Sequence, residues 1–363
     1  VKPTRPVFVV INARSGRKAV RDRIEALRAG FAAACGHAPQ LFIARSGRHV
    51  PAVAAAAVAQ AHREHGVLVV AGGDGTINAV GQVALAQQVP FGIVPGGTFN
   101  LLSRTHGIPQ DTEDAIRTIA AGVIRPVQAA MVNDRIFFVN ASVGLYPQLL
   151  EDREAYKQRL GRSRMVAAWS ALVTLCTRSH RLDLELDADG RRWRQRTPTL
   201  FVGNNRLQLE QVGIEEADCV EQGRLLALTS QPLDTLAAIR LMARGAVGRL
   251  GDAPEVRSFT FERLTVAPAR PAMRSRIKVA TDGEILSLRP PLVFRPSPQA
   301  LQLIVPAATP ETAEDEAARE DGDRAEGDRE EGAREKETRE EAMRDARRPA
   351  QPAGHRDRPA AVP

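Results

Sequence analysis

Three segments of this chain place glycine, hydroxyl and carboxylate groups at spacings suited to phosphate chemistry. They are Asn12-Ala13-Arg14-Ser15-Gly16, Gly72-Gly73-Asp74-Gly75-Thr76-Ile77-Asn78 and Pro95-Gly96-Gly97-Thr98-Phe99-Asn100. Glycines let backbone N–H groups approach a phosphate closely, and a helix N-terminus behind such a loop adds free donors. Thr76 and Thr98 add hydroxyl donors, and Arg14, Lys18 and Arg104 add positive charge. Asp74 is out of place in an anion cradle unless a donor or a divalent cation balances it. That points to Mg²⁺ between Asp74 and nucleotide phosphates, directly or through water. The alternative is a plain helix cap, with Asp74 accepting from the N–H of Ile77. No GxGxxG opens the first helix, and Ser15-Gly16-Arg17-Lys18 lacks the upstream Gly and the Lys-[ST] ending of a Walker A loop.

Each loop follows an apolar run of buried-strand type: Pro6–Asn12, Val67–Ala71 and Phe91–Val94, with Leu41–Ala44 as a further strand. Between them lie helical patterns: Val20, Ile24, Leu27 and Phe31 in the first, then an Ala-rich helix over His49–His65, then a helix through Ala84. Asp111 reads as the N-cap of a helix reaching Ala121. This alternation predicts an open parallel sheet with helices on both faces, whose ligands sit at the carboxyl ends of the strands. Beyond Val123 short β-like runs dominate: 135–143, 182–186, 199–202, 225–228, 258–266, 276–281, 285–288 and 301–305. Turn signals such as Asp187-Ala188-Asp189-Gly190 separate many of them, and two helical stretches, 147–178 and 233–244, interrupt. The expected organisation is an α/β domain over 1–125, a β-rich domain over 126–308 and a charged tail over 309–363.

The composition sets limits on these readings. With 363 residues and 43% hydrophobic content the chain can bury a real core. No run approaches the roughly 18 apolar residues of a membrane span, and Val1–Pro6 has no apolar run of signal-peptide type. From Glu311 to Pro363 there are 17 acidic and 11 basic side chains, so the chain's +7 divides into −6 in the tail and +13 in residues 1–310. A basic body favours anionic partners. The tail is too poor in apolar groups to offset its ordering entropy and is expected to be disordered. Cys35, Cys176 and Cys219 are too dispersed for a disulfide framework or a zinc site, and the seven histidines make no metal-ligand spacing. A reducing cytoplasm is the expected setting. Lys157, Arg159, Arg162, Arg164, Arg178 and Arg181 flank an apolar stripe with Trp169, which reads either as a helix packed on the body or as peripheral contact with the inner face of a membrane. Aromatic residues are too sparse for a nucleic-acid platform.

The glycine segments, taken in order, resemble the diacylglycerol kinase catalytic-domain family, which includes bacterial lipid kinases and the sphingosine and ceramide kinases. Gly72–Asn78 looks like its signature, and Asn12-Ala13-Arg14-Ser15-Gly16 looks like its N-P-x-S-G loop with Ala13 for Pro. Pro95–Asn100 through Arg104–Pro109 is similar to its second glycine loop. Asn140–Pro147, Arg153-Glu154 and Val202-Gly203-Asn204-Asn205 resemble a bacterial branch, and Asp282-Gly283-Glu284 resembles a late D-G-E motif. The likeness runs from about Val7 to Val305. GGDGT alone is shared with NAD kinases and, more distantly, phosphofructokinases.

This resemblance implies an NAD kinase/phosphofructokinase-like α/β domain, a β-sandwich-like second domain and a last strand returning to the first. It implies ATP and Mg²⁺ in the cleft and a lipid substrate at the membrane surface. Asn12, Ser15, Gly16, Gly72, Gly73, Gly75, Thr76, Asn78, Gly97, Thr98, Asn100 and Arg104 would hold the nucleotide, and Asp74 the metal. Asp282 would be the general base, with Glu284 beside it. From spacing alone Asp282-Gly283 is a hairpin corner. Departures from the family pattern are Leu101 where an acid or His follows Asn100, Gln128 for an Asp, and Gln222 in Glu221-Gln222-Gly223-Arg224-Leu225 for a metal-binding Asp. An ATP-dependent lipid kinase is therefore the expected function. A kinase for a soluble substrate and a weakly active nucleotide-binding protein are the alternatives.

Overall fold

The structure, a computed structural model, describes residues 5–13, 17–97, 99–144, 182–231, 253–269 and 276–307. The expected helices at 147–178 and 233–244, the basic stretch around Trp169 and the tail lie outside them. Strands β1 (Val7–Asn12), β2 (Gln40–Ala44), β3 (Val67–Gly72) and β4 (Phe91–Pro95) run parallel, as the alternation predicts. The helices that accompany them are α1 (Arg17–Cys35), α2 (Val50–Arg63), α3 (Asp74–Gln87), α4 (Leu101–Thr105) and α5 (Thr112–Ala121).

Successive strand residues serve opposite layers. Phe8, Val10, Leu68 and Val70 pack with α2 and α3, while Val9, Ile11, Val67 and Val69 pack with Leu27 and Phe31 of α1 and Ile116 and Ile119 of α5. Burial of each such side chain contributes about 1.5–3 kcal/mol. Two-sided burial is why these runs are continuous rather than alternating in hydrophobicity. Asp111 caps α5 by accepting from the N–H groups of Glu113 and Asp114 at 2.8 and 3.2 Å. The sheet is completed from far along the chain. Strand β18 (Leu301–Val305) lies parallel to β4 and antiparallel to β5 (Val123–Val127), giving the order β2-β1-β3-β4-β18-β5.

The other described strands form two antiparallel sheets facing each other. One contains β6 (Ala130–Val132), β7 (Arg135–Phe137), β9 (Leu182–Ala188), β10 (Arg191–Thr197), β14 (Leu264–Pro268) and β17 (Leu292–Pro296), in the order β10-β9-β14-β17-β6-β7. The second contains β8 (Asn140–Gly144), β11 (Thr199–Gly203), β12 (Leu225–Ser230), β13 (Val256–Phe261), β15 (Ile277–Thr281) and β16 (Glu284–Leu288), in the order β13-β12-β11-β8-β15-β16. Leu184, Leu186, Leu264 and Phe294 from the first sheet and Ala141, Val143, Val202 and Val279 from the second share one core. This is a β-sandwich. A short helix, α6 (Arg206–Gln211), packs outside the second sheet through Leu209.

Two runs that the sequence presents as single strands are broken. The run 135–143 divides at Phe138-Val139 into β7 and β8, and the run 258–266 divides at Glu262-Arg263 into β13 and β14. In each case the chain leaves one sheet and enters the other. At Phe138-Val139 the apolar run continues through the crossing and carries no mark of it, whereas at Glu262-Arg263 two charged residues shift the apolar alternation from Phe259 and Phe261 to Leu264 and Val266. Strand β10 (RRWRQRT) was not expected because it is an edge strand with a mostly exposed, charged sequence.

Beyond α4, burial and the nearby Arg125 push the His106 imidazole down to about 4. The neutral ring is therefore favoured by folding. Its contribution to stability is present above the ordinary histidine value of about 6.5 and is lost as pH falls from there towards 4. We expect His106→Gln to flatten the melting temperature against pH in that window, relative to the native chain. Parallel curves would show that the ring is as free to charge in the fold as in the unfolded chain.

Candidate active site

The glycine segments lie where the strand order predicts, at the carboxyl ends of β3 and β4, and they interlock. The Gly96 N–H donates to the Gly72 carbonyl at 2.9 Å. A Cβ built on Gly97 would lie 2.7 Å from the Gly73 Cα, and one on Gly73 would lie 3.0 Å from the Gly97 Cα. Only glycine permits this backbone-to-backbone contact. Asp74 starts α3 but does not cap it: the N–H groups of Thr76 and Ile77 go to the Gly73 carbonyl. Its carboxylate instead accepts from the N–H groups of Asn100 and Leu101, each at 2.9 Å. Asp74 is thus the N-terminal anchor of α4, tying the second loop to the first. Asn100, at φ 49°, closes that loop by accepting from the Gly97 N–H at 2.9 Å and donating to Gln110 at 2.9 Å.

The Asp282 carboxylate is surrounded by donors. One oxygen accepts from the N–H groups of Val139 and Asn140, both at 2.9 Å. The other accepts from the Phe138 N–H at 2.7 Å and from the Asn78 side-chain amide of α3. In return the Asp282 N–H donates to the Asn140 carbonyl at 2.9 Å. Asp282 and Gly283 form the β15–β16 turn, with φ of 46° and 85°. Burial pushes the Asp282 carboxyl up from the ordinary aspartate value, against the pull of its donors. A carboxylate offers about four acceptor positions, and all four are taken.

Glu284, two residues on, differs in kind. No hydrogen bond reaches its carboxylate among the described residues, and its Oε1 lies 3.8 Å from where a Cβ on Gly75 would sit. The turn therefore presents Glu284 to the open side of the first glycine loop. Burial raises its carboxyl above the ordinary glutamate value.

The other expected residues fall into three groups. Gly72, Gly73, Gly75 and Gly97 line the loops, and Asn12 at the end of β1 donates to the Thr76 hydroxyl at 3.3 Å while its Oδ1 is buried without a partner. Asn78, Asn100 and Arg104 are engaged within the protein: Asn78 with Asp282 and Gln82, Asn100 within its loop, and Arg104 through Nε to the Phe99 carbonyl at 3.0 Å. Ser15, Gly16 and Thr98 lie outside the described residues.

Sequence reasoning missed Arg23. Its guanidinium lies against Gly96 of the second loop, although Arg23 shares the helix face of Leu27 and Phe31. The signal was a basic residue at i−4 and i−8 on an apolar stripe. Within the Asn140–Pro147 motif, to which the sequence assigned no site role, Asn140 Oδ1 and Ser142 Oγ are buried without partners on the face of β8 opposite Ala141 and Val143. The glycine edges and Arg23 together fit a polyphosphate, while the orphaned Asn12 Oδ1, an acceptor, fits a donor or a cation beside it. For Mg²⁺, the described residues gather no cluster of three acidic or His/Cys groups, and Asp74 keeps two acceptor positions free. Asp74 therefore fits as one ligand to a cation carried mainly by phosphate oxygens.

Residues 6–132 match the family model for the diacylglycerol kinase catalytic domain. The resemblance carried by the glycine segments is thereby borne out. A diacylglycerol kinase of Bacillus subtilis (strain 168) is 39% identical over 100 residues, 27% of this chain and 33% of that protein. A protein of Klebsiella pneumoniae (strain 342) named "Probable lipid kinase YegS-like" is 36% identical over 98 residues, 26% of this chain and 33% of that protein. These matches span about a third of the relatives' own length. A solved structure of a diacylglycerol kinase from Bacillus anthracis str. Sterne superposes with a TM-score of 0.60 at 18% identity, over 86% of this chain and all of that one. The fold is thus that of the diacylglycerol kinases, with its parallel α/β sheet followed by antiparallel sheets. No helix among the described residues is long and apolar enough to cross a membrane.

The two carboxylates of the turn should separate in a stability measurement. Asp282→Asn presents an NH₂ group to donors that need an acceptor, and we expect it to cost about 2–4 kcal/mol in urea unfolding. Glu284→Gln should unfold like the native chain. Equal midpoints for all three proteins would mean that the Asp282 contacts hold nothing together.

Proposed function

We propose that this chain is an ATP-dependent lipid kinase, transferring the γ-phosphate to a hydroxyl of diacylglycerol or a related lipid. One observation carries the reading: the β15–β16 turn of the sandwich holds a free carboxylate, Glu284, opposite Gly75 of the phosphate-type loop. A hydroxyl between the two would have its proton acceptor on one side and the phosphate donor on the other. Phosphoryl transfer is mostly positioning and electrostatics, so this opposition is the main requirement.

In this proposal the glycine edges at Gly72–Gly75 and Gly96–Gly97, with Asn12 and Thr76, hold the phosphates. Mg²⁺, with Asp74 as one ligand, would neutralise charge on the transferring group. The proton-accepting role implied for Asp282 passes to Glu284, because the acceptor positions of Asp282 are filled. Asp282 then positions the turn. The raised pKa of Glu284 suits a base, which works best when its pKa approaches the working pH. Asn140 Oδ1 and Ser142 Oγ, polar and unsatisfied in an otherwise buried wall, suit the polar head of an alcohol substrate.

The test is transfer of labelled phosphate from ATP to extracted membrane lipids, with NAD and soluble alcohols in parallel. Label in a lipid is the expected result. Label only in a soluble acceptor would overturn the lipid reading, and none anywhere would leave a nucleotide-binding protein. Given transfer, Glu284→Gln should lower turnover by about 10²- to 10⁴-fold with ATP affinity nearly unchanged. The base must be deprotonated, so the native rate should rise with pH through the raised pKa of Glu284. That limb should vanish in Glu284→Gln. A limb that persists in the variant would place the base elsewhere.

A further inference from the structure

We propose that Arg23 is the cation of the phosphate site, holding an anionic phosphate chain against the second glycine loop, with Gly96 kept side-chain-free to admit it. This rests on the kinase reading for the identity of the anion, but its physical basis is independent of it. Arg23 lies in α1 one helical turn before Leu27, on the stripe that packs against the sheet. A position on that stripe near the start of α1 faces the carboxyl edge of the strands, where the glycine loops are. A Cβ built on Gly96 would overlap Nη2 of the guanidinium and lie 3.0 Å from its Cζ and 3.3 Å from Nη1. The three atoms nearest that position all belong to Arg23. Gly96 also has no positive φ that would demand glycine. A side chain at 96 would therefore have to displace the guanidinium from its place against the loop.

The guanidinium is half-buried, and among the described residues it has neither a carboxylate partner nor a hydrogen bond. Its pKa is lowered from the usual arginine value, with burial the cause. The carboxylate of this edge, Asp74, is committed to the N–H groups of Asn100 and Leu101. A partly desolvated guanidinium with five donors and no partner in the protein is a ready seat for an anion. Phosphate oxygens match its planar fork in pairs. Arg104, the expected cation of this loop, is exposed and donates its Nε–H to the Phe99 carbonyl, so it braces the loop from outside.

The anion could be the phosphate chain of a nucleotide or a free polyphosphate, and calorimetry with ATP, inorganic tripolyphosphate and adenosine separates them. Arg23→Ala should weaken ATP and tripolyphosphate by about 10- to 100-fold, the scale of lost hydrogen bonds to charge. Adenosine affinity should be unchanged and Arg23→Lys intermediate. The melting temperature of the ligand-free Arg23→Ala protein should be equal to or above that of the native chain, since an uncompensated charge has been removed. Gly96→Ala should weaken both anions in the native background and add nothing in the Arg23→Ala background, because the two act through one group. Native affinity in Arg23→Ala, or a full additional loss from Gly96→Ala in that background, would overturn the assignment while leaving the kinase reading intact. Anion binding that depends on Arg23 in a protein that phosphorylates no lipid would sink the lipid kinase and keep the seat. A native chain that binds neither ATP nor tripolyphosphate would remove both.

Discussion

The Asp282 carboxylate is the joint on which the geometry of the site depends. A buried carboxylate without donors would be several kcal/mol uphill, so its four partners are an energetic requirement as well as contacts. Three of them, the N–H groups of Phe138, Val139 and Asn140, lie where the chain crosses from one sheet of the sandwich to the other. The fourth is Asn78 of α3, from the parallel-sheet half. One anion thus fixes a crossover, a hairpin and a helix together. Asn78 stands one turn below Gly75 on α3, and Glu284 stands two residues from Asp282. The link between Asn78 and Asp282 therefore sets how Glu284 meets the glycine loop to within a helical turn.

A comparison inside the same molecule separates what is structural here from what belongs to the site. Asp189, followed by Gly190, makes a second Asp-Gly turn with φ of 50° and 89°. Its carboxylate accepts from the N–H groups of Glu262 and Arg263, at the other crossing between the sheets. The device is the same: an aspartate in the left-handed region turns its side chain towards a neighbouring bend and satisfies N–H groups that leave one sheet before joining the next. Asp189 lies at the exposed rim and receives nothing from α3. What distinguishes Asp282 is the desolvation of its carboxylate and the reach of Asn78, and those two features put a hairpin of the sandwich at the mouth of the glycine loops.

The sequence made the parallel half largely legible, because two-sided burial writes strands as unbroken apolar runs and the glycine segments mark where they end. The sandwich was legible in composition and in most of its strands. Its crossings were not, since the aspartates that bend the chain at Phe138-Val139 and Glu262-Arg263 lie 144 and 73 residues away in sequence. The site divided along the same line. Backbone features such as Gly73 and Gly97 could be read from residue type. Side-chain assignments at Asn78, Asn100 and Arg104 could not, because an amide or guanidinium near a phosphate loop serves the loop as readily as the ligand. Arg23 was hidden by its helix, which reads as packing from end to end.

The departures from the family pattern acquire a physical meaning in this arrangement. Gln128 donates its amide N–H groups to the Asn204 side chain at 2.8 Å and to the Arg224 carbonyl at 3.1 Å, while Asn204 donates to the carbonyls of Gln128 and Phe138 at 3.2 and 2.9 Å. Both acceptors that face Gln128 are oxygens. A carboxylate at 128 would present only acceptors to them. An amide carries its own donors. Gln222 in the adjoining loop is exposed and neutral, so no carboxylate is left there in search of a partner. Gln128 thus closes this joint by hydrogen bonds alone. The Phe138 carbonyl that Asn204 engages belongs to the same residue whose N–H reaches Asp282. The amide joint and the carboxylate joint therefore grip one crossover from its two sides.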